Sequence, residues 1–355
     1  MILVYLGKAG AGPKFAQSFA GALASRGIPF TYVRSTLNTY PAAVAGVEVV
    51  SIPTYSSATG LLWRLLHLPS IVLKLLRLEQ TSRRNAYVFI MHTPLTVLIQ
   101  TALYALGRIT VSVIHDAERH PGDPWAQTTA AFTALEIATS RRVICLTETV
   151  RSRCTQRFRI DQSRLITLFH PAFNYVDLEP RTLDSAQEIG ILFLGRIVRY
   201  KGLELLIDAY RKASKSSAIP LRLVVAGEGP LDPGHLADPT ITIINRYLSD
   251  DDIAKLLREA DILVLPYIEA SQSGVAAAAT AAALPIVHTP VNGLVEQLAT
   301  YGAIASREVS ADALAETLTA LATNPDLYRS LSQRQYEVAR SLSWSEFCRR
   351  MMQHV

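Results

Sequence analysis

Short apolar runs alternate with longer segments of helical periodicity along the chain. Runs of strand length that end in glycine, proline or polar residues are typical of buried parallel strands, and helices between such strands cover both faces of one sheet. The first half therefore predicts an α/β domain with a parallel sheet. Its strands are predicted at residues 2–6, 30–33, 47–52, 87–92, 109–115, 142–147 and 165–169.

The alternation stops at residues 175–188, a locally polar segment without periodicity, and then resumes. Because 355 residues are too many for one ordinary core, this segment is interpreted as a linker between two domains. The predicted domains are residues 1–174 and 189–342, with a last helical segment at 343–355. Strands of the second domain are predicted at 191–194, 221–226, 241–245, 261–266 and 284–287.

A cationic loop follows the first strand of the second domain. Gly195 ends the strand, Gly202 opens a helical pattern, and Arg196 and Lys201 lie between the two glycines. Free N–H groups and the dipole of a helix N-terminus favour a phosphate, and the two cations add full charges there. A solvated basic loop would contain the same residues, so the alternatives at this point are an anion site and an ordinary surface loop.

A second series of motifs supports the anion site. Residues 261–266 form a predicted strand, residues 267–274 read Tyr-Ile-Glu-Ala-Ser-Gln-Ser-Gly, and a small-residue helix follows, with Asn292-Gly293 leading to Glu296. In this order, with Gly-Arg and Lys-Gly upstream, the chain resembles the retaining GT-B glycosyltransferases of family 4. The resemblance covers nearly the whole chain and is strongest between residues 191 and 296.

The resemblance implies a fold and an assignment of roles. It implies two facing Rossmann-like domains with parallel sheets, with the donor mostly on the second domain and the acceptor mostly on the first. The last helix, residues 343–355, would cross back to the first domain. Arg196 and Lys201 would hold the diphosphate of a nucleotide-sugar donor and stabilise it as it departs, and the family needs no divalent metal for transfer.

The first glycine loop faces the donor phosphates and sugar in the family. Gly10 and Gly12 would be the positions where the backbone approaches the ligand, although a plain tight turn would also explain them. A dinucleotide site is a poor interpretation, because Phe15 replaces the third glycine and Arg34 stands where the second strand should end in a ribose-binding acid.

The most polar strand end of the first half is at residues 114–123. His115 matches a family histidine that contacts the transferred sugar, and Asp116 is its neighbour. The resemblance places His120 and Asp123 on the acceptor side, and an ordinary exposed loop histidine is an equally good interpretation of His120.

Two positions depart from the family pattern. Many members have a glutamate three residues before the glycine that matches Gly274, for the donor sugar, and another five residues after it, for the ribose. Ser271 and Ala279 stand there. The remaining groups could bind sugar hydroxyls at a helix N-terminus or, in the case of Glu296, the nucleotide. These donor-side candidates are Ser271, Gln272, Ser273, Gly274, Val275 and Glu296.

Composition and charge limit the classes of ligand that the protein is expected to bind. A net charge of +5 and an isoelectric point near 9.1 favour anionic ligands, but dispersed Lys and Arg without a recognition motif argue against nucleic acid. Three cysteines without metal-ligand spacing indicate a reducing cytoplasm. The first six residues are expected to form a strand rather than a signal peptide. No apolar run reaches the ~20 residues that a spanning helix needs.

Two further segments have competing interpretations. The acids of Ser249-Asp-Asp-Asp252 suggest a metal cluster, but Ser249 and Asp252 have the spacing of a helix capping box, so no metal site is predicted. Residues Leu61–Leu78 combine a broad leucine face with Arg64, Lys74 and Arg77, which suits either an anionic membrane surface or a helix packed under the sheet. With Pro69 inside it, the segment is consistent with one helix or with two short helices.

The expected protein is a retaining, metal-independent hexosyltransferase without a resident cofactor. It would move a hexose from a nucleotide-diphosphate sugar, of UDP or GDP type, to a saccharide or polyprenyl-linked saccharide acceptor. It would be cytoplasmic, with a possible peripheral position on the inner face of the plasma membrane. The alternatives are a nucleotide-sugar epimerase of the same fold and a non-catalytic sugar-nucleotide-binding subunit.

Overall fold

The structure is a computed structural model that describes residues 1–8, 10–40, 44–79, 86–116, 126–158, 160–183, 188–231 and 238–354. The chain divides into two compact units. Unit 1 contains the described residues within Met1–Arg119, Asp123–Phe169 and Trp344–Val355, and unit 2 contains those within His170–Ser343.

Unit 1 is built on a seven-stranded sheet in which every neighbouring pair is parallel. The spatial order is β3-β2-β1-β4-β5-β6-β7. The buried faces of the central strands carry Val, Ile and aromatic side chains, as a sheet covered on both sides requires. The strands are β1 (Ile2–Tyr5), β2 (Thr31–Ser35), β3 (Glu48–Ile52), β4 (Ala86–Ile90), β5 (Ile109–Ile114), β6 (Arg142–Cys145) and β7 (Leu165–Thr167).

Six helices connect the strands of unit 1. The segment predicted as one or two helices around Pro69 forms two, and Pro69 lies in the first turn of the second, where its missing N–H costs no hydrogen bond. The helices are α1 (Ala11–Ser25), α2 (Ala58–Leu66), α3 (Leu68–Glu79), α4 (Pro94–Ala105), α5 (Ala126–Ala138) and α6 (Glu148–Phe158).

Unit 2 repeats this plan with six parallel strands in the order β10-β9-β8-β11-β12-β13. The strands are β8 (Ile189–Leu194), β9 (Leu221–Ala226), β10 (Ile241–Ile244), β11 (Ile262–Leu265), β12 (Ile286–His288) and β13 (Ala303–Ala305). The helices are α7 (Leu203–Ser216), α8 (Asp250–Glu259), α9 (Gly274–Ala281), α10 (Asn292–Leu298), α11 (Ala311–Ala322) and α12 (Pro325–Ser341).

The last helix, α13 (Trp344–Met351), belongs to unit 1. Its Trp344 and Phe347 rings lie edge-on to Phe15 of α1, with centroid distances of 4.8 and 5.9 Å. Arg26 donates a 2.8 Å hydrogen bond to the Ser345 hydroxyl. The chain therefore leaves unit 1 before His170 and returns to it at Trp344.

The segment interpreted as a linker is anchored to unit 2. The Arg181 guanidinium donates to the backbone carbonyls of Leu257, Ala260 and Ala282 at 2.7, 2.8 and 2.9 Å. These carbonyls lie in the last turns and C-caps of α8 and α9, where acceptors lack helical partners and the dipole favours a cation. Residues 184–187 lie outside the described part of the chain.

Candidate functional site

The loops at the carboxyl edge of the unit 2 sheet are packed backbone against backbone. A Cβ atom on Gly202 would lie 1.9 Å from the Pro266 carbonyl oxygen, and one on Gly227 would lie 1.9 Å from the Gly195 oxygen. Gly202 also has a left-handed φ of 70°, which costs glycine little. The loops after β8, β9 and β11 therefore meet at distances that only glycine allows. Ligands of parallel α/β sheets bind at this edge.

Arg196 and Lys201 lie together in the loop between β8 and α7. Arg196 is exposed, and its Nη2 donates to the Tyr200 hydroxyl at 3.3 Å. The Lys201 ammonium lies 5.4 Å from the centroid of the Tyr200 ring and 3.7 Å from the centroid of the Tyr267 ring. Two cations thus flank Tyr200 directly before the N-terminus of α7.

A second helix N-terminus, that of α9, borders the same edge. The Ser273 hydroxyl caps α9 by accepting the Ala276 N–H at 3.3 Å. The Ser273 N–H donates to Gln297 Oε1 at 2.7 Å, and Gln297 Nε2 donates to the Ser273 carbonyl at 3.0 Å. These two hydrogen bonds form a clamp that holds the loop before α9 against α10. A Cβ on Gly293 of α10 would lie 2.3 Å from the Ala270 oxygen in the same loop.

The other predicted donor-side residues surround this clamp. Gln272, Gly274 and Val275 are half-buried at the start of α9, and Glu296 is half-buried on α10. Ser271 and Ala279, which replace the family glutamates, are both fully buried. The position that carries the ribose-binding glutamate in the family is therefore a core position of α9 in this chain.

In unit 1, the conformation or packing of the backbone explains the presence of glycine at the two predicted donor-side positions, Gly10 and Gly12. Gly10 precedes α1 with a left-handed φ of 86°. A Cβ on Gly12 would lie 2.3 Å from the Tyr5 hydroxyl and 2.7 Å from Met91 Sδ. A side chain at Gly12 would therefore require Tyr5 and Met91 to shift, which gives glycine a packing role there whether or not a ligand approaches the loop.

His115 and Asp116 directly follow β5 at the carboxyl edge of the unit 1 sheet. His115 is half-buried, and its ring lies edge-on to Phe15 at a centroid distance of 4.7 Å, whereas Asp116 is exposed. His120 and Asp123 lie outside the described residues.

A histidine–carboxylate contact that the sequence does not reveal lies beside the neighbouring strand β4. His92 Nδ1 is 2.8 Å from Glu136 Oε2, and the two side chains are 21% and 1% exposed. His92 follows Met91, a non-glycine residue with a left-handed φ of 53°, and such strain is concentrated at functional sites. The position of His92 at the end of a predicted strand was a usable signal, but Glu136 reads as an ordinary helix residue.

Burial controls the protonation of two groups near α9. His170 is buried close to Gly274, and burial lowers its pKa to about 4 although its Nδ1 lies 2.9 Å from the Pro171 carbonyl. Burial also raises the pKa of the Tyr267 phenol, so this residue stays neutral at physiological pH.

The acidic series before α8 forms a helix cap, which confirms the capping-box prediction. The Ser249 hydroxyl accepts the Asp252 N–H at 3.2 Å, and Asp252 accepts the Ser249 N–H at 2.9 Å. Arg246 adds two bonds of 2.7 Å to Asp252 and lowers the pKa of its carboxyl. Within the described ranges, no cluster of His, Cys, Asp or Glu side chains could hold a metal ion.

Comparison with known proteins identifies the fold. Residues 188–324 match the family model described as "Glycosyl transferases group 1". The chain is 24% identical over 216 residues to the uncharacterized glycosyltransferase MJ1178 of Methanocaldococcus jannaschii, a match that covers 58% of this chain and 57% of that protein. The chain thus spans little more than half the length of this relative.

Solved structures match over nearly the whole chain. Sucrose-phosphate synthase from Thermosynechococcus elongatus has a TM-score of 0.73 at 15% identity, covering 99% of this chain and 97% of that one. Anabaena Alr3699/HepE, solved with UDP and glucose, has a TM-score of 0.72 at 12% identity, covering 100% and 99%. The protein has the GT-B fold, and its residues 188–324 are similar to the group 1 glycosyltransferases.

Proposed function

We propose that this protein is a retaining glycosyltransferase that moves a hexose from a nucleotide-diphosphate sugar to a saccharide or lipid-linked saccharide, without a divalent metal. The observation that carries the proposal is the placement of Arg196 and Lys201 in the loop that opens α7, at the carboxyl edge of the unit 2 sheet. Two cations and two helix N-termini at one edge suit a diphosphate.

The chemistry follows from where charge develops. As the bond between the sugar and the diphosphate breaks, negative charge grows on the leaving oxygen, and Arg196 and Lys201 stabilise it more in the transition state than in the bound donor. The sugar passes through an oxocarbenium-like state. The departing diphosphate oxygen takes the proton of the acceptor hydroxyl, so the two cations act by electrostatics and not as bases.

The remaining candidates divide by unit. We assign the donor to unit 2, with sugar contacts from Gln272 and the backbone at 273–275 and a nucleotide contact from Glu296. We assign the acceptor to unit 1, near His115 and Asp116, together with His120 and Asp123. UDP is the first nucleotide to test, because a solved protein of the same fold contains UDP and glucose.

A peripheral membrane position at the cytoplasmic face is part of the proposal. Helix α2 has no buried residues, and Leu62, Trp63 and Leu66 are 64, 58 and 74% exposed. Three large apolar side chains on one short helix, with Lys74 and Arg77 on the following helix, suit insertion into an anionic lipid surface. No helix of the described residues is long and apolar enough to cross a membrane.

Donor turnover without an acceptor tests the proposed activity. The wild type is expected to release UDP from UDP-glucose or a related donor, and Lys201→Ala is expected to lower turnover by about 10²–10³, as removal of an electrostatic stabiliser does. Lys215→Ala removes the same charge from the exposed last turn of α7 and should leave turnover intact. Near-normal turnover in the Arg196→Ala, Lys201→Ala double variant would overturn the assignment.

The products distinguish the alternatives. A retaining transferase gives a product with the anomeric configuration of the donor, which NMR of the isolated glycoside reports. An epimerase would interconvert two nucleotide sugars without net transfer, and a non-catalytic subunit would bind UDP with no turnover in the wild type.

A further inference from the structure

The ring of Tyr267 packs against the Lys201 ammonium. The ammonium lies 3.7 Å from the ring centroid, and Tyr267 is almost completely buried. An aromatic face attracts a cation at this distance through its quadrupole, and the attraction strengthens where water is excluded. The neutral ring itself cancels none of the lysine's charge.

The same tyrosine is fixed from its other end. Its hydroxyl lies 3.1 Å from the Ser273 hydroxyl, which caps α9, and Gln297 holds the backbone of Ser273 with two further bonds. The ring is therefore locked between the cationic loop and the helix N-terminus. A displacement of Tyr267 would disturb both parts of the anion site.

We infer that Tyr267 is a positioning residue that holds Lys201 in the orientation it needs to meet the donor diphosphate, and that its hydroxyl couples the lysine to the N-terminus of α9. The ring restricts the rotamers of the four-carbon lysine side chain before the donor binds, so less conformational freedom is lost on binding. The consequence for catalysis rests on the proposed function, whereas the contact itself does not.

A ligand-free measurement tests the contact directly. In protein labelled with ¹³C-lysine, the ε-methylene protons of Lys201, assigned by their disappearance in Lys201→Met, should be shifted upfield by the ring current of Tyr267. Tyr267→Phe keeps the ring and should retain the upfield shift, whereas Tyr267→Leu should abolish it. An unshifted Lys201 signal in the wild type, or a shift that survives Tyr267→Leu, overturns the inference.

A double-mutant cycle on UDP affinity tests the consequence. Immobilising a flexible side chain on binding costs about 0.5–1.5 kcal/mol, so Tyr267→Leu should weaken UDP binding by about two- to tenfold. In a Lys201→Met background the same replacement should have almost no effect, because the two residues act as one unit. Equal effects in both backgrounds would show that Tyr267 acts on UDP independently of Lys201 and would overturn the positioning role.

A matched control separates positioning from general damage to the fold. Tyr210→Leu also removes a buried, hydrogen-bonded tyrosine of unit 2, but its hydroxyl bonds the Leu221 carbonyl in the core. It should lower the melting temperature as Tyr267→Leu does and leave UDP affinity unchanged. If Lys201→Met leaves UDP affinity unchanged while the ring-current shift is present, the proposed function fails and the contact between Tyr267 and Lys201 stands.

Discussion

Replacement of Gly202 by alanine tests whether the close packing of the loops builds the proposed donor site. The new Cβ would lie 1.9 Å from the Pro266 oxygen, far inside van der Waals contact, so the two loops must separate. Separation strains the 2.8 Å bond from the Ile268 N–H to the Tyr200 carbonyl. A lost hydrogen bond costs about 1 kcal/mol, overpacking about 1–3 kcal/mol, and a left-handed alanine about 1 kcal/mol. Gly202→Ala should therefore destabilise unit 2 by about 3–5 kcal/mol.

Gly27→Ala is the matched control for backbone strain alone. Gly27 has a similar left-handed φ of 64°, but a Cβ there would meet no atom within 4 Å, so its cost should stay near 1 kcal/mol. Urea unfolding followed by circular dichroism gives the free energies, and calorimetry gives UDP affinity. Only Gly202→Ala should weaken UDP binding. Equal destabilisation by the two replacements, with UDP binding intact in both, would refute the role of loop packing.

Three further predictions follow from individual groups. Because burial lowers the pKa of His170 to about 4, the unfolded state binds more protons between pH 4 and 6.5, and stability should fall as pH drops through that window by up to about 3 kcal/mol; urea titrations should show this loss reduced in His170→Gln but not in the exposed control His354→Gln. Since the Asp252 carboxylate is engaged in a helix cap, turnover should survive EDTA. A strict requirement for Mg²⁺ or Mn²⁺ that is abolished by Asp252→Asn would contradict the capping assignment. Trp63→Ser with Leu66→Ser should reduce flotation with anionic vesicles without lowering the melting temperature, because both side chains are exposed; a wild type that ignores such vesicles at low salt would refute the membrane surface.

The alternation of apolar runs and helical segments was sufficient to predict the α/β architecture. The predicted strand at residues 2–6 corresponds to β1 (Ile2–Tyr5), and the run at 221–226 is β9 (Leu221–Ala226). The order of strands was not predictable in the same way. The central position of β1 between β2 and β4 depends on crossover connections over long stretches of chain, which local periodicity does not report. The three-residue β13 was missed because so short a run carries no period.

The candidate site was likewise predictable only where it depends on residues that are consecutive in sequence. Arg196 and Lys201 were predictable because a strand, a cationic loop and a helix N-terminus are consecutive in sequence. Tyr267 and Gln297 were not, since their roles arise only when the loop after β11 meets the β8–α7 loop and α10. The environment of Arg64 was not predictable either: it is half-buried, and its Nε donates to the Thr54 carbonyl at 3.2 Å.

The structure offers a physical reason why serine and alanine stand at the two positions where the resembled family has glutamates. Ser271 and Ala279 are fully buried, and carboxylates at these depths would need compensating partners. Gln297 braces the loop with neutral amide bonds instead. If the donor binds as proposed, the two negative charges that the family pattern places near its sugar and ribose are missing here, so less of the field of Arg196 and Lys201 is offset. Nucleotide affinity in this chain should then depend on charge to an unusual degree and weaken steeply as salt screens it.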